Sequence, residues 1–280
     1  MVKLANGLEM PQVGLGTFKM SPEEVLKSIP AALESGYTLF DTAAVYRNEA
    51  AVAEALQNKQ VFITSKLAPG DHGFKEAQKA IRTTLAHFQK RGYLDLYLVH
   101  WPGVSGLDPK DPQNGERRRG SWAALEEAYE AGLLKAIGVS NYDIKHLQEM
   151  KEYARIQPMV NQIEIHPLYY PKELIEYCEK NNIVVQAYSS LAANKLISAE
   201  YLEKHPCISE AAARHSKTPA QVLLKWALQH NLAIIPKSTH AARIKENIDL
   251  FDFTLSEQEM QQLDALDSRE KVCWEPSVVS

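Results

Sequence analysis

No apolar run in this sequence approaches the roughly 20 residues a helix needs to cross a bilayer. The opening stretch, MVKLANGLEMPQVG, puts polar and turn-forming residues where a secretory leader needs an apolar core, so no leader is expected. Cysteine is scarce. Cys178, Cys207 and Cys273 are far apart, odd in number and lack C-x-x-C spacing, which argues against a disulfide scaffold or a zinc cluster and for a reducing compartment. Neither charge sign dominates: 31 basic and 35 acidic side chains leave a formal net charge of -4, with no general attraction for nucleic acid or an anionic membrane. The G-x-S-x-G, H-E-x-x-H and P-loop patterns are missing, as are solenoid-spaced repeats and low-complexity tracts. These absences predict a cytoplasmic protein working without metal, nucleic acid or membrane. With no exposed apolar stripe evident, a monomer is expected.

What is present is an ordinary globular composition, 45% hydrophobic and 24% charged over 280 residues, enough for one large α/β domain spanning 1–280. Apolar positions on either side of Asn6-Gly7, a type I′ turn signal, predict a hairpin over Lys3 to Pro11. Eight apolar segments follow: GLGT, YTLFD, VFITSK, LDLYLVH, LLKAIGVS, MVNQI, IVVQAY and AIIPK. Nearly all are separated by helical patterns, the first opening at Ser21-Pro22-Glu23-Glu24 with an N-cap serine and a first-position proline. Strands apolar throughout suit a parallel sheet buried on both faces. The prediction is a (β/α)8 TIM barrel with the hairpin capping its bottom and an extra C-terminal helix. The rival, a doubly wound dinucleotide fold, needs a third glycine after Gly14-Leu15-Gly16, where Thr17-Phe18-Lys19 stands instead. A long loop is expected from Trp101 to Gly120, on the substrate side, followed by a helix from Ser121 to Ala131. The charge run Glu116-Arg117-Arg118-Arg119 then reads as a solvated part of that loop.

Three strands end in ionisable residues: Asp41, Lys66 and His100, with Tyr46 just beyond the first. The carboxyl ends of barrel strands converge on one face, where active sites of this architecture sit. The four groups suit proton transfer at a carbonyl. A phenol is a poor acid at neutral pH; a lysine cation beside it favours the phenolate, an aspartate holds the lysine, and a histidine donates a hydrogen bond to the substrate oxygen. Taken singly, each has a plainer reading: Asp41 a turn former, Tyr46 a packing residue, Lys66 a snorkelling strand end, His100 a core histidine. Further on, Lys237, Ser238 and Arg243 form a compact cationic, hydroxyl-bearing cluster after the last strand, of the kind that binds phosphate, although the two cations could equally be helix-end residues.

The motifs GLGTF, FDTAAVYRNE, ITSK, YLVHWP, GLLKAIGVSNY, VNQIEIHP, AYSSL and IIPKSTHAARIKEN resemble the aldo-keto reductase superfamily over essentially the whole chain. The resemblance implies a catalytic tetrad of Asp41, Tyr46, Lys66 and His100, with Tyr46 the general acid and hydride delivered from C4 of a reduced nicotinamide. It implies that Ser140, Asn141 and Gln162 hold the carboxamide and Tyr188 stacks on the ring. Thr17 and Phe18 line the cofactor side of the first loop, Asp41 adjoins it, and Ser189 and Leu191 meet the pyrophosphate. Lys237, Ser238 and Arg243 meet the 2′-phosphate of NADPH, with Glu246 and Asn247 around the adenine. Phe18, Tyr46, His100, Trp101 and Trp274 face the substrate. Three departures stand out: a short segment at Leu56 to Gln60, Ser190 and Ala192 where many relatives carry proline and glycine, and a short tail. The expected activity is NADPH-dependent reduction of aldehydes and ketones. The alternatives are a sugar-acid or dicarbonyl reductase, anchored by an inward-folding Glu116–Arg119 loop, and a weakly catalytic NADPH-binding barrel, should the short segment displace Lys66.

Overall fold

The computed structural model describes residues Met1–Ser280. The hairpin pairs β1 (Val2–Lys3) with β2 (Glu9–Met10), Val2 opposite Met10. Its turn differs from expectation. Leu4 and Leu8 enclose a three-residue loop in which Gly7 alone is left-handed, φ +87°, whereas a type I′ turn needs two such residues. Leu4 and Met10 are buried among side chains of the barrel interior, so the hairpin plugs one end.

The eight expected strands form one parallel sheet in sequence order: β3 (Leu15–Gly16), β4 (Leu39–Asp41), β5 (Phe62–Leu67), β6 (Leu96–Val99), β7 (Ile137–Ser140), β8 (Val160–Glu164), β9 (Val184–Tyr188) and β10 (Ala233–Ile234). The sheet closes on itself. Ile234 donates to Gln12 O at 2.8 Å, Gly14 to Ile234 O at 2.9 Å and Gly16 to Pro236 O at 3.1 Å. Gly16 is required there, because a Cβ would lie 2.8 Å from Ile235 O across the seam.

Strand periodicity decides what the barrel encloses. Leu39, Phe62, Leu96, Leu98, Ala136, Val160 and Ala233 meet in one apolar cluster, with Val184 of β9 packed against it, and mark the inward parity. Two or four residues further along the same strands come Asp41, Lys66, His100, Ser140, Gln162, Glu164, Gln186 and Tyr188. Side chains alternate faces with period two, so these point inward as well, at the carboxyl end. The opposite parity, including Phe40, Ile63, Tyr97, Val99 and Val139, packs outward into the larger core beneath the helices.

That shell comprises α1 (Pro22–Glu34), α2 (Glu49–Ala55), α3 (Phe74–His87), α4 (Gln113–Glu130), α5 (Ile144–Tyr153), α6 (Lys172–Lys180), α7 (Ala199–Lys204), α8 (Pro206–His215), α9 (Pro219–Gln229), α10 (Ala241–Ile248) and α11 (Glu257–Asp264). Ser21 and Glu24 form the capping box that the sequence signalled for α1. No helix is long and apolar enough to cross a membrane. The seven-residue α2 is the short element expected before β5. Beyond it the exposed turn Gln57–Gln60 borders a groove of about 460 Å³ running to Phe88 and Tyr93, at the amino end of the strands.

The charge run overturns one expectation. Glu116–Arg119 lies on α4, which begins eight residues before Ser121, and Arg118 is only 2% exposed. Its guanidinium donates to Pro102 O at 3.0 Å, Ser280 O at 2.7 Å and Glu149 Oε2 at 2.5 Å. Arg117 turns to His72 O and Glu76, and Arg119 lies over the Tyr153 ring. Arg118 braces the helical shell, while Glu116, Arg117 and Arg119 are exposed, so the run is largely solvated as expected but on a helix rather than a loop.

Candidate active site

The end of β4 carries Asp41, and the chain then makes a single 3₁₀ turn, Ala44–Tyr46, stopped by Arg47 in a left-handed conformation at φ +57°. Asn48 fixes this turn against the loop after β3. It accepts from Thr42 Oγ1 at 2.8 Å and donates to Thr17 O and Met20 O, each at 3.0 Å. Lys66 reaches in from β5, 0% exposed, with Nζ 2.6 Å from Asp41 Oδ1, 2.8 Å from Thr42 O and 3.3 Å from Tyr46 OH. His100 completes the group from the end of β6, its ring edge-on to Tyr46 at 5.6 Å. The four predicted side chains are therefore brought together, and the short α2 does not displace Lys66.

The electrostatics run against one expectation. A lysine neighbour was expected to lower the Tyr46 pKa; instead it stands well above 10, because burial penalises the phenolate and the Asp41 carboxylate and Cys273 add to the effect. Burial also lowers Lys66, opposed by Asp41. His100 is pushed well below its usual value by burial and then by Lys66, so it is neutral near pH 7. The site thus holds a protonated phenol and a neutral imidazole, beside a lysine paired to aspartate.

Around this centre lie the other predicted residues. Thr17 Oγ1 donates to Asp41 O at 2.9 Å, and Gln162 Nε2 donates to Asp41 Oδ2 at 2.8 Å. Ser140 donates to Gln162 O, while Asn141 donates to His100 O and accepts from Tyr188 OH at 2.6 Å. Phe18 and Tyr46 are 5.1 Å apart, His100 and Trp101 6.4 Å, and Trp101 and Trp274 5.0 Å. The five expected substrate-side residues form one unbroken aromatic row.

A second feature lies beyond β10. Leu191, Lys237, Ser238, Arg243, Glu246 and Asn247 line a cavity of about 670 Å³, and neither Lys237 nor Arg243 has an ion-pair or hydrogen-bond partner. The loop after β9 passes beside it with Ser189, Ala192, Ala193 and Asn194 all left-handed, and Ser190 Oγ is buried without a partner.

Sequence reasoning missed several contributors. Gln186 accepts from Gln162 Nε2 at 2.7 Å. Glu164 receives the backbone of the C-terminal tail, and His72 binds Trp101 O at 2.9 Å. The signal for the first two was present as polar residues at the inward parity of β9 and β8; His72, on a loop, had none.

A barrel that gathers buried Asp41, Lys66 and His100 around a half-buried Tyr46 at the carboxyl ends of its strands is the architecture of an enzyme. The family model described as aldo/keto reductase family matches residues 10–268. A glyoxal reductase of Bacillus subtilis is 42% identical over 277 residues, covering 97% of this chain and 94% of the relative. The crystal structure of MGS-M4, an aldo-keto reductase from a Medee basin deep-sea metagenome library, superposes with a TM-score of 0.89 at 36% identity, covering 100% of this chain and 99% of that one. The Gox0644 D53A mutant in complex with NADPH gives 0.90 at 33% identity, covering 100% and 98%. The chain belongs to the aldo/keto reductase family, and it is an oxidoreductase.

Proposed function

We propose that this chain, read as one domain, reduces aldehydes and ketones to alcohols with NADPH, using Tyr46 as general acid. The observation that carries this reading is the 3.3 Å contact between Lys66 Nζ and Tyr46 OH, inside a site that Asp41 completes. Tyr46 stays protonated at neutral pH, as a proton donor must. When it gives its proton to the developing alkoxide, the phenolate forms beside the Lys66 ammonium, the one cation in contact with it. Asp41 holds that ammonium and offsets its charge, and neutral His100 donates a hydrogen bond to the carbonyl oxygen. Burial keeps Tyr46 in its protonated form at neutral pH, the form that reduction requires, and the Lys66 ammonium offsets the cost of the phenolate that forms.

The residues present fit NADPH. Two unpaired cations on one cavity are an unsatisfied charge that a 2′-phosphate would complement, through Lys237, Ser238 and Arg243, with Glu246 and Asn247 toward the adenine. Ser189 and Leu191 would contact the pyrophosphate, where the Ser190 hydroxyl lacks a partner. Ser140, Asn141, Gln162 and Tyr188 would hold the nicotinamide, with Thr17, Phe18 and Asp41 alongside. When bound, NADPH supplies the hydride. The complex of a relative with NADPH supports the same cofactor here.

The substrate meets Phe18, Tyr46, His100, Trp101 and Trp274, a wall suited to apolar carbonyl compounds. Small dicarbonyls are a second reading, favoured by the likeness to a glyoxal reductase. The test is loss of NADPH absorbance across a carbonyl panel, beside Tyr46→Phe. Turnover abolished in the variant with NADPH still bound supports the assignment; unchanged turnover overturns it.

A further inference from the structure

The tail beyond α11 crosses the mouth of the barrel and is tied down on both sides of Trp274. Upstream, Val272 N donates to Glu164 Oε1 at 2.6 Å and Cys273 N reaches both carboxylate oxygens at 3.3 Å. Downstream, Lys145 Nζ donates to Ser277 O at 2.7 Å, His146 Nε2 meets Val279 O at 3.0 Å, and Val279 is fully buried against Gly103. Between the ties, Trp274 remains 48% exposed and packs edge-on against Trp101.

Glu164 is the part of this arrangement that the proposed chemistry leaves unexplained. It sits at the inward parity of β8, only 2% exposed, where a carboxylate is costly to bury. Its partners are His166 Nε2 at 3.1 Å and the two tail amides; it touches no tetrad side chain. Hydrogen bonds from backbone amides to an ionised carboxylate are among the stronger and more directional kinds. They fix the two residues immediately before Trp274. We propose that Glu164 is a positioning residue for substrate selection: it holds the tail so that Trp274 closes an aromatic clasp with Trp101, and the clasp selects carbonyl compounds bearing an aromatic or other bulky apolar group. Small dicarbonyls at His100 can meet Trp101 but carry no group to extend past it to Trp274, so they are indifferent to where Trp274 is held. This rests on the carbonyl-reductase reading and names which of its substrates the site prefers.

The test compares an aromatic aldehyde with methylglyoxal in wild type, Glu164→Gln, Trp274→Ala and the double variant. In Glu164→Gln, KM for the aromatic aldehyde rises roughly tenfold, the scale of one lost aromatic contact. The kcat for both substrates and KM for methylglyoxal stay unchanged. Because Glu164 acts through Trp274, the double variant is no worse than Trp274→Ala alone. Glu164→Asp, which keeps the charge, restores part of the effect. Multiplying effects in the double variant, an equal loss on both substrates, or no change in any variant overturns the proposal. If Glu164→Gln does not fold, Val279→Asp unseats the other end of the tail and must give the same KM split, on the same criteria. Wild type that turns over neither substrate refutes the reductase reading itself, an outcome separate from every one above.

Discussion

Lys66 Nζ and Asp41 Oδ1 are 2.6 Å apart with both side chains almost wholly out of water. Neither residue can be removed without stranding the other. Lys66→Met leaves the Asp41 carboxylate buried beside Gln162 alone, and Asp41→Asn leaves an ammonium facing carbonyl oxygens. Breaking a buried pair this way costs about 3–5 kcal/mol. Both variants should melt well below wild type as well as lose turnover, whereas Tyr46→Phe, which deletes one hydroxyl, should lose turnover with little change in melting temperature. Thermal melts of the three, run beside activity assays, check this; an unaltered melt for Lys66→Met would refute it.

Tyr46→Phe is expected to lower kcat by about 10²–10⁴, the usual span for a positioned acid. NADPH affinity should be unchanged, measured by quenching of tryptophan fluorescence.

Lys237→Ala and Arg243→Ala should each weaken NADPH binding while leaving NADH binding unaltered, because only the 2′-phosphate requires the cations. Removing one charge-assisted contact costs about 1.5–3 kcal/mol, or roughly ten- to a hundredfold in Kd. Equal weakening of both cofactors would show that the cluster serves another purpose.

Stability should fall as pH drops from about 6.5 to 4. Burial holds His72 and His146 at about 4, against an ordinary value of 6.5, and His100 is also lowered, by burial and by Lys66. Between those limits the unfolded chain binds protons that the folded chain refuses, so unfolding is favoured by acid. The stabilisation is present in full above about 6.5 and is lost as pH falls through the folded values, by roughly 3 kcal/mol for each of His72 and His146. Urea midpoints across that range check the slope, and His72→Gln should flatten it.

Beyond Gly138 the sequence contains no glycine, yet the backbone still turns left-handed at Ser189, Ala192, Ala193 and Asn194. At exposed Ala193, φ +52°, the left-handed form costs about 1–2 kcal/mol, against about 0.5–1 kcal/mol of extra chain entropy for glycine. Ala193→Gly should therefore raise the melting temperature slightly, a change readable by calorimetry.

The barrel, its eight strands and the four convergent side chains were legible because continuous apolar runs between helical patterns and strand-end placement are local properties. The start of α4 was not. Pro112, Gly115 and Gly120 read as loop residues, yet both glycines belong to the helix because neighbours crowd them: a Cβ on Gly120 would lie 2.9 Å from Phe74 N, and one on Gly115 3.1 Å from Glu149 Oε1. Glycine marked close packing there rather than a turn, a distinction that exists only once the helices have docked. Arg118 was misread for the same reason, since its partners lie 16 to 162 residues away in sequence. The sign of the Tyr46 shift was hidden too, because burial outweighs a charged neighbour by an amount that residue identities do not carry.

The abbreviated α2 has a practical side. Its turn, Gln57–Gln60, sits in water at the amino end of β5, while the reacting groups lie at the carboxyl end of the same strand. Exposed loop tips tolerate insertion, and in barrels the amino-terminal face carries stability rather than chemistry. A peptide tether or a small fluorescent domain spliced after Asn58 would hang from the pole opposite the mouth. The protein could then be immobilised on a surface with its opening turned outward.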